Sequence, residues 1–162
     1  MKTISVASID STNTYLKKLK RPKEDTLIIA KKQTGGRGTK GRSFICEEGG
    51  VYMSLLKLYP CKAEESFSIM MNSAVAVVNT LSAFDIKAKI KWPNDIIVNG
   101  KKICGILIEN VFEGEDVAKS IVGIGLNVNI LNASDEVIIP SVCHYFSKQS
   151  LLEAYADRKS VV

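Results

Sequence analysis

The sequence predicts an α+β fold in which a mixed, mostly antiparallel β-sheet carries its helices on one side. Two observations indicate this class. Segments with strand-like patterning outnumber helical ones, in the order β-α-β-β-α-β-β-β-β, and the later strands are separated only by turns. The pair Asn99-Gly100 also lies between two apolar runs, which is typical of a tight hairpin because both residues tolerate positive φ.

The first half of this order rests on local start and stop signals. A short strand at residues 3–9 is followed by a helix that Ser11 caps and that continues to about Lys20. The pair Arg21-Pro22 ends that helix, and Thr26–Lys31 is predicted to be a central strand. Val51–Tyr59 is the next strand, after the turn at Gly49-Gly50.

The second half begins with a long helix at residues 66–84, whose apolar positions 67, 70, 71, 74, 75, 78 and 81 form one broad face. Strands are predicted at residues 86–91, on both sides of Asn99-Gly100, and at residues 118–130 after a turn at residues 113–116. Beyond Ile130 the pattern weakens, with a short edge strand at Val137–Pro140 and a short helix at Ser150–Ala156.

Composition limits the function classes. The chain has 162 residues, 46% of them hydrophobic, which predicts one domain with a substantial core and excludes a disordered tail. Its 22 basic and 17 acidic residues give a net charge of +5. This excess of positive charge is too small to indicate a nucleic-acid partner, and it suits an anionic ligand or an acidic protein partner equally well.

Cysteine and histidine usage argues against a metal centre. The four cysteines include no CxxC pair and are interpreted as reduced thiols of a cytoplasmic protein. His144 is the single histidine, so neither a histidine-based zinc site nor a Ser-His triad can be assembled. No signal peptide pattern or bilayer-spanning apolar run is present, so no membrane partner is expected.

A basic glycine-rich segment, Gln33–Phe44, admits three interpretations. Residues 36–41 match G-x-G-x-x-G, and residues 36–43 match the P-loop spacing with Arg42 in place of lysine. Both motifs require a helix to begin directly after the glycines, whereas this segment leads into Gly49-Gly50 and a strand. The third interpretation is a mobile loop whose arginines and lysine face carboxylate and phosphate oxygens.

A second polar stretch precedes the hairpin. The run Lys91-Trp92-Pro93-Asn94-Asp95 enters the first hairpin strand, and Lys102 and Gly105 lie just past the turn. A purely structural hairpin has little use for these polar and aromatic residues, so they indicate a site that holds a phosphate and a ring system.

Together these segments resemble the catalytic domain of biotin protein ligases, with a fold similar to class II aminoacyl-tRNA synthetases. The matching motifs occur in the family's order over about residues 4–130: residues 10–13, Gln33 with residues 36–42, 91–95, 102–109 and 123–128. The resemblance implies ATP-dependent formation of biotinyl-5'-AMP, followed by transfer of biotin to a lysine of a biotin carboxyl carrier protein. ATP and biotin would be substrates, with Mg²⁺ as cofactor.

The resemblance also implies roles for individual residues. Biotin contacts are expected from Ser11, Thr12, Asn13, Gln33, Arg37, Gly38, Thr39, Lys102, Gly105, Gly123 and Gly125. ATP or adenylate contacts are expected from Arg37, Arg42, Trp92, Asn94 and Asn127. The catalytic residues would be Lys102, Arg37 and Asp95, with Lys102 bridging the biotin carboxylate and the α-phosphate and Asp95 serving as a Mg²⁺ ligand.

The chain departs from the family pattern in two places. Thr39 stands where family loops carry arginine, and the chain ends at Val162, before the family's C-terminal β-barrel. Residues 1–162 are therefore expected to form one shortened catalytic domain without an N-terminal DNA-binding domain, and a homodimer is compatible with the sequence. Two alternatives stay open: a module that binds biotin or biotinyl-AMP with little transfer, and a ligase for lipoate or octanoate.

Overall fold

The computed structural model describes residues 1–58 and 61–129, which form one β-sheet and two α-helices. In chain order the elements are β1 (Lys2–Ile9), α1 (Thr12–Lys17), β2 (Thr26–Gln33), β3 (Gly50–Lys57), β4 (Cys61–Lys62), α2 (Phe67–Ser82), β5 (Lys89–Lys91), β6 (Asp95–Val98), β7 (Lys101–Glu113) and β8 (Asp116–Asn127). Short 3₁₀ turns lie at Thr39–Gly41 and Ala63–Glu65.

The sheet has the order β1-β2-β3-β8-β7-β6-β5, and β4 pairs with β8 outside this path. Only β1 and β2 are parallel, because the helical crossover α1 connects them, whereas turns and hairpins make the other described pairs antiparallel. This confirms the predicted α+β class and its mixed, mostly antiparallel sheet.

The two helices pack against opposite faces of the sheet, which corrects the prediction that both lie on one side. Leu16 of α1 clusters with Leu56 and Ile121, whereas the buried residues of α2 belong to a cluster that includes the adjacent residues of the same strands, Leu55 and Val122. Successive strand residues point to opposite faces, so each central strand is covered on both sides. We call the face under α1 the upper face and the face under α2 the lower face.

The buried stripe of α2 differs from the predicted one. Ala74, Val77 and Leu81 are buried, whereas the side chains of Phe67 and Val75 are 47% and 44% exposed. Spacings of three and four residues place the three buried positions on one line along the helix. The prediction omitted Val77 and included exposed flanking positions, because apolar residues occur on both sides of this stripe.

Several boundaries also differ from the prediction. Strand β2 is second from the edge of the sheet and is not central, and α1 ends at Lys17. Strand β5 begins only at Lys89, three residues after the predicted start, and β4 was not predicted. The edge strand at 137–140, the helix at 150–156, Cys143 and His144 lie outside the described residues.

The hairpin between β6 and β7 is confirmed. Asn99 and Gly100 form its turn with φ values of 49° and 77°. Ile96 pairs with Cys104 but Ile97 pairs with Lys102, so Ile103 is an extra residue in β7. This bulge matters for the site, because strict alternation would turn Lys102 toward the lower face. Among the described residues, no helix is long and apolar enough to span a membrane.

Candidate active site

A cleft opens on the upper face, beside the start of α1. Most of its lining comes from the α1 N-terminus, the glycine loop, the start of β7 and residues 123–125 of β8, with single residues from β3 and from the segment before β6. Every residue for which a biotin contact is predicted lines this cleft. Further lining residues are Phe44, Met53, Asn94, Ile106, Leu107 and Ile124.

A group of hydrogen-bonding side chains forms one end of the cleft, and we call it the polar line. It consists of the buried Ser11, Thr12, Asn13 and Ser54 and the half-buried Gln33. Ser11 caps α1 by accepting a hydrogen bond from the Thr14 N–H at 3.3 Å, as predicted. Gln33 Oε1 then accepts hydrogen bonds from the Thr12 N–H at 2.7 Å and from Thr12 Oγ1 at 2.9 Å. Because these partners fix the Gln33 carbonyl, its amide nitrogen is directed away from α1 and donates to Cys46 Sγ at 3.0 Å.

Ser54 connects the rest of this line, and sequence reasoning missed it. Its fully buried Oγ lies 2.7 Å from Thr12 Oγ1 and 2.5 Å from Asn13 Oδ1, so its single O–H hydrogen is shared between these two acceptors, and Asn13 Oδ1 is the nearer. A signal was available, because Tyr52, Ser54 and Leu56 alternate along β3 and share the upper face. A small hydroxyl residue between two large buried side chains indicates a polar contact there.

Glycines form the floor of the cleft because α1 and Phe44 approach the sheet closely. A Cβ atom at Gly123 would lie 2.2 Å from Asn13 Oδ1, and one at Gly125 would lie 2.7 Å from the Phe44 ring. Gly105 is similarly close to Phe44 and Lys102, at 3.1 and 3.2 Å. Any side chain at the first two positions would displace its neighbour, so these close approaches require glycine.

Lys102 carries positive charge into the cleft. Its Nζ lies 2.7 Å from Asp95 Oδ1 and 5.7 Å from the centroid of the Phe44 ring. The bulge in β7 makes the ion pair possible, because it brings Lys102 to the same face as Asp95. The lysine is 43% exposed and its partner 24%, so the ammonium stays accessible to an anion entering from solvent.

Arg37 of the glycine loop contributes the second cation. Its Nη1 lies 3.4 Å from Glu109 Oε1, and Lys17 Nζ lies 2.9 Å from the same oxygen. Burial raises the pKa of Glu109, but the hydrogen bonds from Lys17 and Asn13 and the charge of Arg37 outweigh it and lower the pKa overall. Arg37 and Lys102 thus share one cleft, as the predicted chemistry requires.

The residues predicted to contact ATP or adenylate do not all line the cleft. Asn94 lines the cleft and is fixed by donating to the Ile106 carbonyl at 3.2 Å, whereas Arg42, Trp92 and Asn127 do not line it. Trp92 is 62% exposed and packs against Phe67, with ring centroids 5.0 Å apart. Asn127 is buried. The nucleotide roles of these residues therefore stay predictions.

The described residues do not contain a protein-built metal site. They include no group of three or more His, Cys, Asp and Glu side chains that could hold an ion. Asp95, the predicted Mg²⁺ ligand, is instead paired with Lys102. A Mg²⁺ ion that enters with nucleotide phosphates needs few protein ligands, and the role of Asp95 toward such an ion stays a prediction.

The reactivity of the cysteines tests the packing at the end of the polar line, because Cys46 accepts a hydrogen bond from Gln33. Burial raises the pKa of Cys46 to about 11 and that of Cys104 to about 12, so both thiols stay protonated near neutral pH. Cys61 is only half-buried. We therefore expect iodoacetamide at about pH 8 to alkylate Cys61 at least tenfold faster than Cys46, as followed by peptide mass spectrometry. Equal rates in the folded protein would contradict this packing, and urea-unfolded protein is the control.

Comparison with known proteins gives consistent matches. The model of the biotin/lipoate A/B protein ligase family matches residues 5–127. The chain is 45% identical over 108 residues to the bifunctional ligase/repressor BirA of Bacillus subtilis. This match covers 65% of this chain and 33% of that protein. It is 32% identical over 127 residues to the biotin--[acetyl-CoA-carboxylase] ligase of Paracoccus denitrificans, covering 76% of this chain and 53% of that protein.

The fold is also shared with solved structures. The biotin protein ligase from Aquifex aeolicus in complex with biotin and ATP superposes with a TM-score of 0.67 and 28% identity. The match covers 93% of this chain and 66% of that one. This chain spans between a third and just over half of the two curated relatives named above.

Proposed function

The chain belongs to the biotin/lipoate A/B protein ligase family, and from this we propose that it activates biotin with ATP and transfers it to a lysine of a biotin carboxyl carrier protein. One observation carries the proposal. A single cleft combines a buried line of amide and hydroxyl groups with two cations, Arg37 and Lys102. Biotin has the complementary pattern, because its ureido group both donates and accepts hydrogen bonds and its carboxylate is anionic.

The two cations solve the main difficulty of the first step. A biotin carboxylate oxygen attacks the α-phosphorus of ATP, the bond to the β-phosphate oxygen breaks, and pyrophosphate leaves. Both reactants are anions, so they approach only where positive charge offsets their repulsion. Lys102 and Arg37 supply that charge, while the polar line and the glycine floor hold the ring system in place.

The second step needs less from this chain. The neutral amine of the carrier lysine attacks the acyl carbon of biotinyl-AMP, AMP leaves, and the amine proton passes to solvent or to the leaving phosphate. Water would hydrolyse the mixed anhydride, so the intermediate must be shielded until the carrier arrives. The glycine loop, with Gly38, Thr39 and Phe44 on the cleft, is the segment placed to do this.

The decisive assay is pyrophosphate release with ATP and Mg²⁺. We expect release with biotin that exceeds release with lipoate or octanoate by at least about 100-fold, followed by label transfer from biotin to a carrier domain. The ratio reflects the polar line, because lipoate and octanoate lack a ureido group to pair with its remaining hydrogen-bonding capacity, such as the second lone pair of Asn13 Oδ1. Equal pyrophosphate release with lipoate and with biotin would instead indicate a lipoate ligase.

A second candidate is a module that retains biotinyl-AMP with little transfer. Thr39 favours it, because this cleft-lining position carries no charge to hold the phosphate. Tight biotin binding and a single turnover of pyrophosphate, without label on the carrier, would support this alternative.

The setting of the reaction is part of the proposal. Cys46, Cys61 and Cys104 carry free thiols, which suits the reducing cytoplasm. The net charge of +5 favours an acidic carrier domain over an uncharged one.

A further inference from the structure

Glu109 lies beside the cleft without lining it, and donors from two separate segments converge on its carboxylate. Asn13 Nδ2 and Lys17 Nζ come from α1, at 3.2 and 2.9 Å, and Arg37 Nη1 comes from the glycine loop, at 3.4 Å. The Glu109 side chain is only 17% exposed, whereas those of Lys17 and Arg37 are 55% and 48% exposed. Burial therefore holds the Glu109 carboxylate in place, and the more exposed side chains of Lys17 and Arg37 form ion pairs with it.

The first consequence concerns the side-chain amide of Asn13. Its Nδ2 donates to Glu109 Oε2 and, at 3.4 Å, to the Leu107 carbonyl, while its Oδ1 accepts from Ser54. Rotating the amide by half a turn would place Oδ1 against a carboxylate and a carbonyl, and both contacts would be repulsive. Glu109 therefore fixes Asn13 with Nδ2 toward β7.

This orientation decides what the cleft can recognise. Asn13 lines the cleft, and its Oδ1 has one lone pair beyond the bond from Ser54. It can accept one further hydrogen bond from an N–H group, such as that of a ureido ring. The opposite orientation would present a donor there, and a ligand N–H would then meet an N–H.

The second consequence concerns the glycine loop. Within the loop, backbone bonds join Gly38 to Arg42 and Phe44 to Gly36, so they hold its shape but not its position on β7. The Arg37–Glu109 ion pair connects the loop to β7 directly. Phe44, at the end of the loop, also lies against Gly105 of β7, so losing the ion pair would free mainly the part of the loop around Arg37.

We propose that Glu109 is a positioning residue for ligand binding, which fixes the Asn13 amide as an N–H acceptor and tethers Arg37 and the glycine loop to β7. This inference rests on the proposed function, because the ligand N–H is that of the biotin ureido group. Glu109 touches neither the predicted ligand nor the reacting atoms in this arrangement, so its effect passes through Asn13 and Arg37.

The test replaces Glu109 with glutamine in the full chain, which keeps the shape and removes the charge. We expect the Kd for biotin by calorimetry, and the KM for biotin in pyrophosphate release, to rise about tenfold. The KM for ATP should rise less than the KM for biotin, because ATP depends only on the Arg37 tether whereas biotin depends on both Asn13 and Arg37. If Glu109 had only a structural role, Glu109→Gln would lower the melting temperature and leave the ratio of the KM for biotin to the KM for ATP unchanged.

Two matched variants separate the contacts. Glu113→Gln removes an exposed carboxylate at the end of the same strand, and it should leave the Kd unchanged. Lys17→Met removes the shortest contact to Glu109 but keeps those from Asn13 and Arg37, so we expect at most about a threefold rise in Kd. If Glu109→Gln does not fold, Glu109→Asp keeps the charge farther from Asn13, and an intermediate Kd is expected.

The outcomes are distinct. Biotin binding by Glu109→Gln, or by Glu109→Asp if that variant is needed, that equals wild-type binding would overturn this inference and leave the proposed function intact. An equal loss in Lys17→Met and Glu109→Gln would also overturn it, because the outer ion pair would then be responsible. No biotin binding by the wild type would overturn the proposed function, and this inference with it.

Discussion

Lys102→Ala is expected to lower the rate of biotin-dependent pyrophosphate release by about 10³-fold, the size of effect seen when one charge-stabilising group is removed from an active site. The reason is that Lys102 is one of two cations facing the region where carboxylate and phosphate must meet. Stopped-time assays with saturating ATP and biotin measure the loss directly. Activity within tenfold of wild type would remove Lys102 from the mechanism.

The neighbouring lysine provides the control. Lys101 pairs with Val98 at the hairpin end, is exposed and does not line the cleft. We expect Lys101→Ala to retain full activity although it removes the same charge one residue away. Both variants should unfold within about 1 kcal/mol of wild type, because partly exposed ion pairs contribute little to stability. Chemical denaturation therefore shows whether a loss of activity reflects chemistry or unfolding.

Gly123→Ala is expected to weaken biotin binding by about 100-fold, or about 2.7 kcal/mol. The added Cβ would lie 2.2 Å from Asn13 Oδ1, so Asn13 must move and give up its bonds to Ser54 and Glu109. Isothermal titration calorimetry gives the affinity. Binding equal to wild type would mean that Asn13 does not take part in holding the ligand.

Gly114→Ala separates this effect from general destabilisation. Gly114 lies in the turn between β7 and β8, where a Cβ meets nothing within 4 Å but φ is +62°. Alanine should therefore lower the free energy of unfolding by about 1 kcal/mol through backbone strain alone. Its biotin affinity should not change, because the turn is remote from the cleft.

Local signals in the sequence were enough to predict the turn at Asn99-Gly100, the Ser11 cap and the absence of a helix after the glycine loop. Each depends on residues adjacent in the chain, whose φ preferences and hydrogen bonds do not require a partner. The convergence of residues 11–13, Gln33 and the two cations on one cleft was predicted from the family resemblance, and the residue roles within it stay predictions.

Features that depend on the two faces of the sheet could not be predicted in this way. Strands β7 and β8 are apolar on both faces, so alternation does not say which helix covers which face. This is why both helices were expected on one side. Ser54 and Glu109 were overlooked for a related reason, since each gains its role from partners more than 40 residues away in sequence.

The irregular pairing around Ile103 has a consequence for how this site can vary. One surplus residue in β7 rotates the Lys102 ammonium from the α2 layer to the ligand layer, while Ile103 itself stays with the α2 core. Deleting that residue would make the pairing regular, and the side chain at position 102 would then face the α2 core. The count of residues between the lysine and Gly105 therefore decides on which face of the sheet the charge lies.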